Sequence, residues 1–154
     1  MLLKQFLNNN DHQYLLDFAK SLTYDNKSPG NNAKYICLEK IQNKYLDEII
    51  SKIDFKLLLN DNDFKFFRDE SLFLRINNFG CVSVHTDWDG KCDKIRNFNL
   101  LLKKPKEGGF ILHGNKKVIQ EEKDVYILDG HIVHGISSII SDDEYYSLVL
   151  VFYK

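Results

Sequence analysis

The spacing of apolar positions changes once along the chain, near residue 55. Before it the period is helical. In "NDHQYLLDFAKSL" the residues Tyr14, Leu15, Phe18, Ala19 and Leu22 recur three and four apart behind an Asn10/Asp11 cap, predicting an amphipathic helix. Pro, Gly and Asn in "DNKSPGNN" then break the chain. "AKYICLEKIQNKYLDEIISKI" resumes the helical period through Ile36, Ile41, Leu46, Ile49 and Ile53 and predicts a second helix. His12, beside the first cap, reads as a surface residue.

After residue 55 the apolar runs become short and β-prone. "SLFLRIN", "CVSVHTD", "FNLLLKK", "GGFILHG", "KKVIQ", "VYILDG" and "YYSLVLVFY" are separated by Asn, Asp, Gly and Pro signals. Many short, punctuated strands predict a sandwich or barrel rather than a doubly wound sheet. With no repeat and no linker, the expected plan is one α+β domain over 1–154. Residues 1–54 form its helical part, packed outside a mostly antiparallel β-roll of residues 55–154.

Composition narrows the function classes. A chain of 154 residues with 44% apolar and 28% charged residues is large enough for a real core. A net charge of −1 gives no electrostatic footprint for nucleic acid or an anionic membrane. The tight basic cluster Lys103, Lys104 and Lys106 reads as a solvated face. The cysteines Cys37, Cys81 and Cys92 are odd in number and lack CxxC spacing, so neither a disulfide framework nor a zinc site is expected. No apolar run is long enough for a signal peptide or a membrane span, and a reducing cytoplasm is the expected compartment.

The candidate chemistry begins in "CVSVHTD". His85 and Asp87 stand two apart at the end of an alternating run, so an extended backbone points both to one face, where one metal ion can take both. Further imidazoles follow in "VYILDGHIVHGISSI", where an apolar strand enters the turn Asp129-Gly130 ahead of His131 and His134. Two histidines and one carboxylate with open coordination positions form the ligand set of non-haem Fe(II) oxygenases.

In this order the motifs resemble the Fe(II)/2-oxoglutarate-dependent dioxygenases, in particular the prolyl-hydroxylase-like group. "LRINNFGCVSVHTD" is similar to the strand entering their HxD motif. "RNFNLLLKKPKEGGFIL" is similar to the next strand and the turn with paired glycines, Gly108 and Gly109. "VYILDGHIVHGISSI" is similar to the segment carrying the distal histidine, and "YYSLVLVF" to the closing strand. The resemblance covers roughly the last half of the chain.

It implies a double-stranded β-helix, or jelly roll, with Fe(II) held by His85, Asp87 and His134. It also implies 2-oxoglutarate as cosubstrate, ascorbate as an available reductant, and hydroxylation of a small molecule or exposed side chain. Within that frame His131 falls inside the turn and His113 at a strand end. A cupin-like metalloprotein without 2-oxoglutarate would recruit one of them as a fourth ligand. The segment "TDWDGKCDKIR", with Trp88 and Asp89, is the expected lid.

The closing strand departs from the family. Its Arg-x-Ser, whose arginine pairs with the far carboxylate of 2-oxoglutarate, reads Tyr145-Tyr146-Ser147 here. A buried carboxylate requires compensation, which a guanidinium fork provides and a single hydroxyl does not. Lys103 is the expected substitute cation, sharing a strand face with Asn97, Asn99 and Leu101, followed by Arg96 on the other face and then Arg75. Asn99, Tyr145 and Ser147 complete the expected cosubstrate set. The alternative is a non-catalytic jelly-roll module that keeps the triad and has lost the anchor.

Overall fold

A computed structural model describes residues 1–87 and 92–154. The chain opens with β1 (Leu2–Leu3), α1 (Asn9–Ser21), β2 (Asn26–Lys27) and β3 (Gly30–Cys37). A 3-10 turn (Leu38–Lys40) leads into α2 (Lys44–Ser51) and α3 (Phe55–Leu59). The β region follows as β4 (Lys65–His85), β5 (Ile95–Lys103), β6 (Ile111–His113), β7 (Lys116–Val118), β8 (Val125–Asp129), β9 (His134–Ile136) and β10 (Tyr145–Tyr153).

The strands form one strongly curled antiparallel sheet in the order β1-β8-β5-β10-β4-β9-β6-β7, with β3 on β4 and β2 on β3. Its spine is β4. The early part of β4 pairs with β10, from Tyr153↔Lys65 to Tyr145↔Ile76. Its end pairs with β9, Val82↔Ile136 and His85↔His134. Between the two partners the strand bends, with Phe79 in the left-handed region at φ 58°. The runs read from sequence as two strands are thus one strand that turns a corner and serves both layers.

Alternation on β10 separates two interiors. Tyr146, Leu148, Leu150 and Phe152 face the helices, where they meet Leu15, Ala19, Leu46, Ile49 and Phe98 in the main core. Val149, Val151 and Tyr153 face into the curl. A turn at Gly108 closes one side of the roll: its φ is +80°, and a Cβ there would lie 2.0 Å from the carbonyl oxygen of Ser138.

The jelly roll and the outer helices match the expected architecture; three details of the helical part do not. Only Lys44–Ser51 of the expected second helix is α-helical, Leu38–Lys40 is a 3-10 turn, and Gly30–Cys37 is a strand. Tyr35, Ile36 and Cys37 pair with Leu74, Phe73 and Leu72 of β4, and that ladder overrides a weak local helical period. His12 is buried, not on the surface: its Nε2 lies 2.8 Å from the Leu102 carbonyl, pinning α1 to β5. The N-cap of α1 is Asn8, whose side chain accepts the Asp11 N–H at 2.8 Å. Cys37 and Cys81 are thiols. Among the described residues no helix is long and apolar enough to cross a membrane.

Asp124 ties the N-terminal segment to the roll. Its fully buried carboxylate accepts from Lys4 Nζ (2.8 Å), Gln5 N–H (3.0 Å) and Glu121 N–H (2.9 Å). Burial works to raise its pKa, but Lys4 and the two backbone donors outweigh burial and hold the carboxyl below its usual value. A depressed carboxyl contributes stability that is complete above its unfolded pKa of about 4 and is lost as pH falls through the folded value. Asp124→Ala is therefore expected to cost about 2–3 kcal/mol in urea denaturation at pH 7. The variant should also lose less stability on acidification than the parent.

Candidate metal centre

Two strands and the segment that follows the first bring the candidate ligands together. His85 ends β4, Asp87 lies two residues on, and His134 opens β9 directly opposite His85. Asp87 is set by its backbone: its N–H donates to the Gly130 carbonyl at 2.9 Å, and Gly130 N–H donates to Ile95 O at 3.1 Å. Gly130 must stay small, since a Cβ there would meet Ile95 at 2.8 Å and the Asp87 carboxylate at 3.2 Å. One donor atom from each of His85, Asp87 and His134 lies within 4.8 Å of the others.

Hydrogen bonds determine what those atoms offer. His85 Nδ1 is 2.7 Å from the Ser83 carbonyl, and His134 Nδ1 is 2.8 Å from the Ile132 carbonyl. A carbonyl only accepts, so both Nδ1 atoms carry hydrogen and both neutral rings turn an Nε2 lone pair inward. Those Nε2 atoms face the carboxylate, His85 to Asp87 Oδ1 at 3.3 Å and His134 to Asp87 Oδ2 at 3.1 Å. Converging lone pairs repel unless protons or a cation stand between them, so the donor set fits a divalent metal ion. This is the usual tuning of a metal-binding histidine, with the remote nitrogen fixed by a backbone acceptor.

Where no cation stands between these atoms, hydrogens on Nε2 take its place and the same contacts become hydrogen bonds to the carboxylate. Burial pushes the Asp87 carboxyl up, but hydrogen bonds from His134 and His85 outweigh burial and hold it well below the usual carboxylate range. The hydrogen bond to Asp87 raises His85, against burial. Asn97 Nδ2 also donates to Asp87 Oδ2, while Asn97 Oδ1 is buried without a partner. Sequence reasoning placed Asn97 on the correct strand face without giving it a role. The signal was present: Asn97 and Asn99 make a polar stripe of period two in the otherwise apolar "NFNLLL".

The triad opens into a cavity of about 330 Å³ inside the curl. Asn97 and Asn99 form its polar wall, and Leu74, Leu128, Ile136 and Val149 contribute apolar surface. Tyr35, Glu70 and Tyr153 also line it. Asn99 accepts the Tyr145 hydroxyl at 3.1 Å. Tyr145 and Ser147 are fully buried, and Ser147 Oγ has no partner. Burial pushes the Tyr145 phenol up to about 12, keeping it a proton-bearing donor.

Asn99, Tyr145 and Ser147 thus stand together, although only Asn99 lies on the cavity wall, and the expected cations do not join them. Lys103 pairs with Asp143 at 2.6 Å and is absent from the cavity wall. The cause is a register shift between β5 and β10: Ser147 pairs with Leu101, but Tyr146 pairs with Lys103. Lys103 therefore leaves the face of Asn97 and Asn99 and stands opposite a residue that looks toward the helices. Arg96 pairs with Asp129 at 2.7 Å and Arg75 with Glu144 at 2.5 Å. Among the described residues no Lys or Arg lines the cavity.

The other imidazoles lie outside the triad. His113 bonds the Tyr126 hydroxyl at 2.9 Å, and the exposed His131 donates its backbone N–H to Asp129. Trp88 and Asp89 of the expected lid lie outside the described residues.

No protein-family model matches the sequence, and no curated protein matches it. Solved structures do match. The viral collagen prolyl hydroxylase of Paramecium Bursaria Chlorella virus-1, solved as a 2OG complex, superposes with a TM-score of 0.75 at 14% identity. That match covers 100% of this chain and 96% of the hydroxylase. HygX from Streptomyces hygroscopicus, with nickel and 2-oxoglutarate bound, gives 0.77 at 10% identity over 99% of this chain and 82% of HygX. The chain has the jelly-roll fold of the Fe(II)/2-oxoglutarate oxygenases. SnoN, a non-heme alpha ketoglutarate dependent epimerase from nogalamycin biosynthesis, gives 0.79 at 10% identity over 100% and 76% of the two chains. The jelly roll thus accommodates both hydroxylase and epimerase chemistry, and the reaction must be argued from the site.

Asn97 supplies a direct test of the site. Removing its bond to Asp87 frees the carboxylate to rotate, and loss of such a supporting bond typically weakens a metal site by about 10–100-fold. Asn97→Ala should raise the Mn(II) dissociation constant by at least about tenfold in anaerobic calorimetric titration.

Proposed function

We propose that this protein is an Fe(II)- and 2-oxoglutarate-dependent oxygenase acting on a small molecule or an exposed side chain, with hydroxylation as the default outcome. The observation that carries the reading is the inward convergence of His85 Nε2, Asp87 and His134 Nε2 on one wall of the cavity inside the curl, with both rings oriented by backbone carbonyls. The neighbouring structures that hold 2-oxoglutarate with a metal support the cofactor assignment.

In this reading His85, Asp87 and His134 hold the metal through one face, leaving the opposite face open to the cavity. Bound Fe(II) supplies a docking point for the 2-oxo acid and the means to activate dioxygen, coupled to conversion of 2-oxoglutarate to succinate. The chain supplies the rest. Asn97 fixes the carboxylate, Gly130 and Ile95 set the backbone behind it, and the apolar wall of Leu74, Leu128, Ile136 and Val149 excludes water. Ser28, Pro29 and Tyr35 also line the cavity, opposite β10 across β4, and serve as candidate substrate contacts.

The cation-free wall favours a second reading, a jelly-roll module that binds metal without turning over a cosubstrate. Succinate formation separates the two. Purified protein with Fe(II), ascorbate and 2-oxoglutarate should form succinate slowly even without its substrate. His85→Ala, Asp87→Ala and His134→Ala should each abolish that formation and tight Mn(II) binding, with cooperative thermal unfolding retained. Tight Mn(II) binding by the parent with no succinate would favour the binding module.

A further inference from the structure

The cavity wall has two polar stations. At one, Asn97 holds the Asp87 carboxylate; at the other, Asn99 accepts the Tyr145 hydroxyl. The two asparagines are two residues apart on β5, so about 6.6–6.8 Å of strand separates them. This is about the span between the metal-binding end and the far end of a five-carbon 2-oxo acid. Behind Asn99, off the cavity wall, lie Tyr145 and Ser147, both fully buried, with Ser147 Oγ lacking a hydrogen-bond partner.

Every group at this far station is neutral. Asn99 offers its amide hydrogens to the cavity, its Oδ1 being taken by the Tyr145 hydroxyl, and Tyr145 and Ser147 stand behind it. The three nearby cations considered from sequence are each neutralised by an acid, Lys103 by Asp143, Arg96 by Asp129 and Arg75 by Glu144. Tyr145 belongs to a packed apolar cluster with Leu74, Ile76, Leu101 and Ile139, which leaves a charge entering there in low-dielectric surroundings. A second carboxylate brought to this station loses its hydration and gains only neutral hydrogen bonds. An uncharged far group gains the same hydrogen bonds at a much smaller desolvation cost.

We propose that the far end of the cosubstrate is recognised by the neutral Asn99 amide, held from behind by Tyr145 and with no cation at hand, so that a 2-oxo acid with an uncharged far end binds at least as tightly as 2-oxoglutarate. The proposal rests on the oxygenase reading and identifies Tyr145 as a specificity-determining residue of that same site.

Anaerobic calorimetry on the Mn(II)-loaded parent protein tests it with three probes: 2-oxoglutarate, its 5-methyl ester and 2-oxopentanoate. At least one uncharged probe should match or exceed 2-oxoglutarate in affinity. Binding of 2-oxoglutarate about tenfold or more tightly than both uncharged probes would overturn the proposal, as would binding of none of the three. Either result, with Mn(II) still bound by the triad, leaves the metal site standing; failure of the parent to bind Mn(II) removes the oxygenase reading and this proposal together. Tyr145→Arg should move the affinity ratio toward 2-oxoglutarate by about tenfold or more, the scale of one charge-assisted hydrogen bond. An unmoved ratio in a folded variant would overturn the role of Tyr145. The parent's own ratio decides the proposal if the variant does not fold.

Discussion

The site depends on one cross-strand pairing, His85 opposite His134 at the end of the β4–β9 ladder. Residues directly opposite in an antiparallel pair point to the same face, so this register alone puts two imidazoles side by side, with ring centroids 4.7 Å apart. A one-residue slip would send one of them outward. Everything else in the site serves that register. β4 bends at Phe79 so that a strand anchored on β10 can reach β9, and the Gly130 backbone places Asp87 between the rings. Carbonyls of Ser83 and Ile132 then turn both Nε2 lone pairs inward.

The second constraint is electrostatic. The metal end of the cavity concentrates acceptor atoms and the far end offers neutral donors, while the nearest basic side chains are held by Asp129, Asp143 and Glu144. The field in the cavity therefore favours a cation at the triad and gives little to a second anion beyond it. Tyr145 contributes to this in two ways, filling space within the curled sheet with an uncharged ring and donating a hydroxyl too weakly acidic to ionise to Asn99.

Much of this was legible in the sequence. Period-two spacing placed His85 and Asp87 on one face, and the resemblance of "VYILDGHIVHGISSI" to the family's distal-histidine segment implied His134. The same alternation put Asn97 and Asn99 on the interior of β5. What the sequence concealed was set by long-range pairing. The ladder of β3 with β4 converts part of an expected helix into strand. A single register shift between Tyr146 and Ser147 removes Lys103 from the face that alternation had assigned to it. The burial of His12 reflects a contact with Leu102, 90 residues away, which no local pattern encodes.

The central claim is that His85, Asp87 and His134 jointly ligate one divalent ion. A crystal of the protein grown anaerobically with Mn(II), with data collected for manganese anomalous scattering, tests it most directly. The account predicts one strong peak at coordination distance from His85 Nε2, His134 Nε2 and an Asp87 carboxylate oxygen, with its remaining positions facing the cavity. A map with no peak among these three residues, or with its principal peak at another cluster, would contradict it.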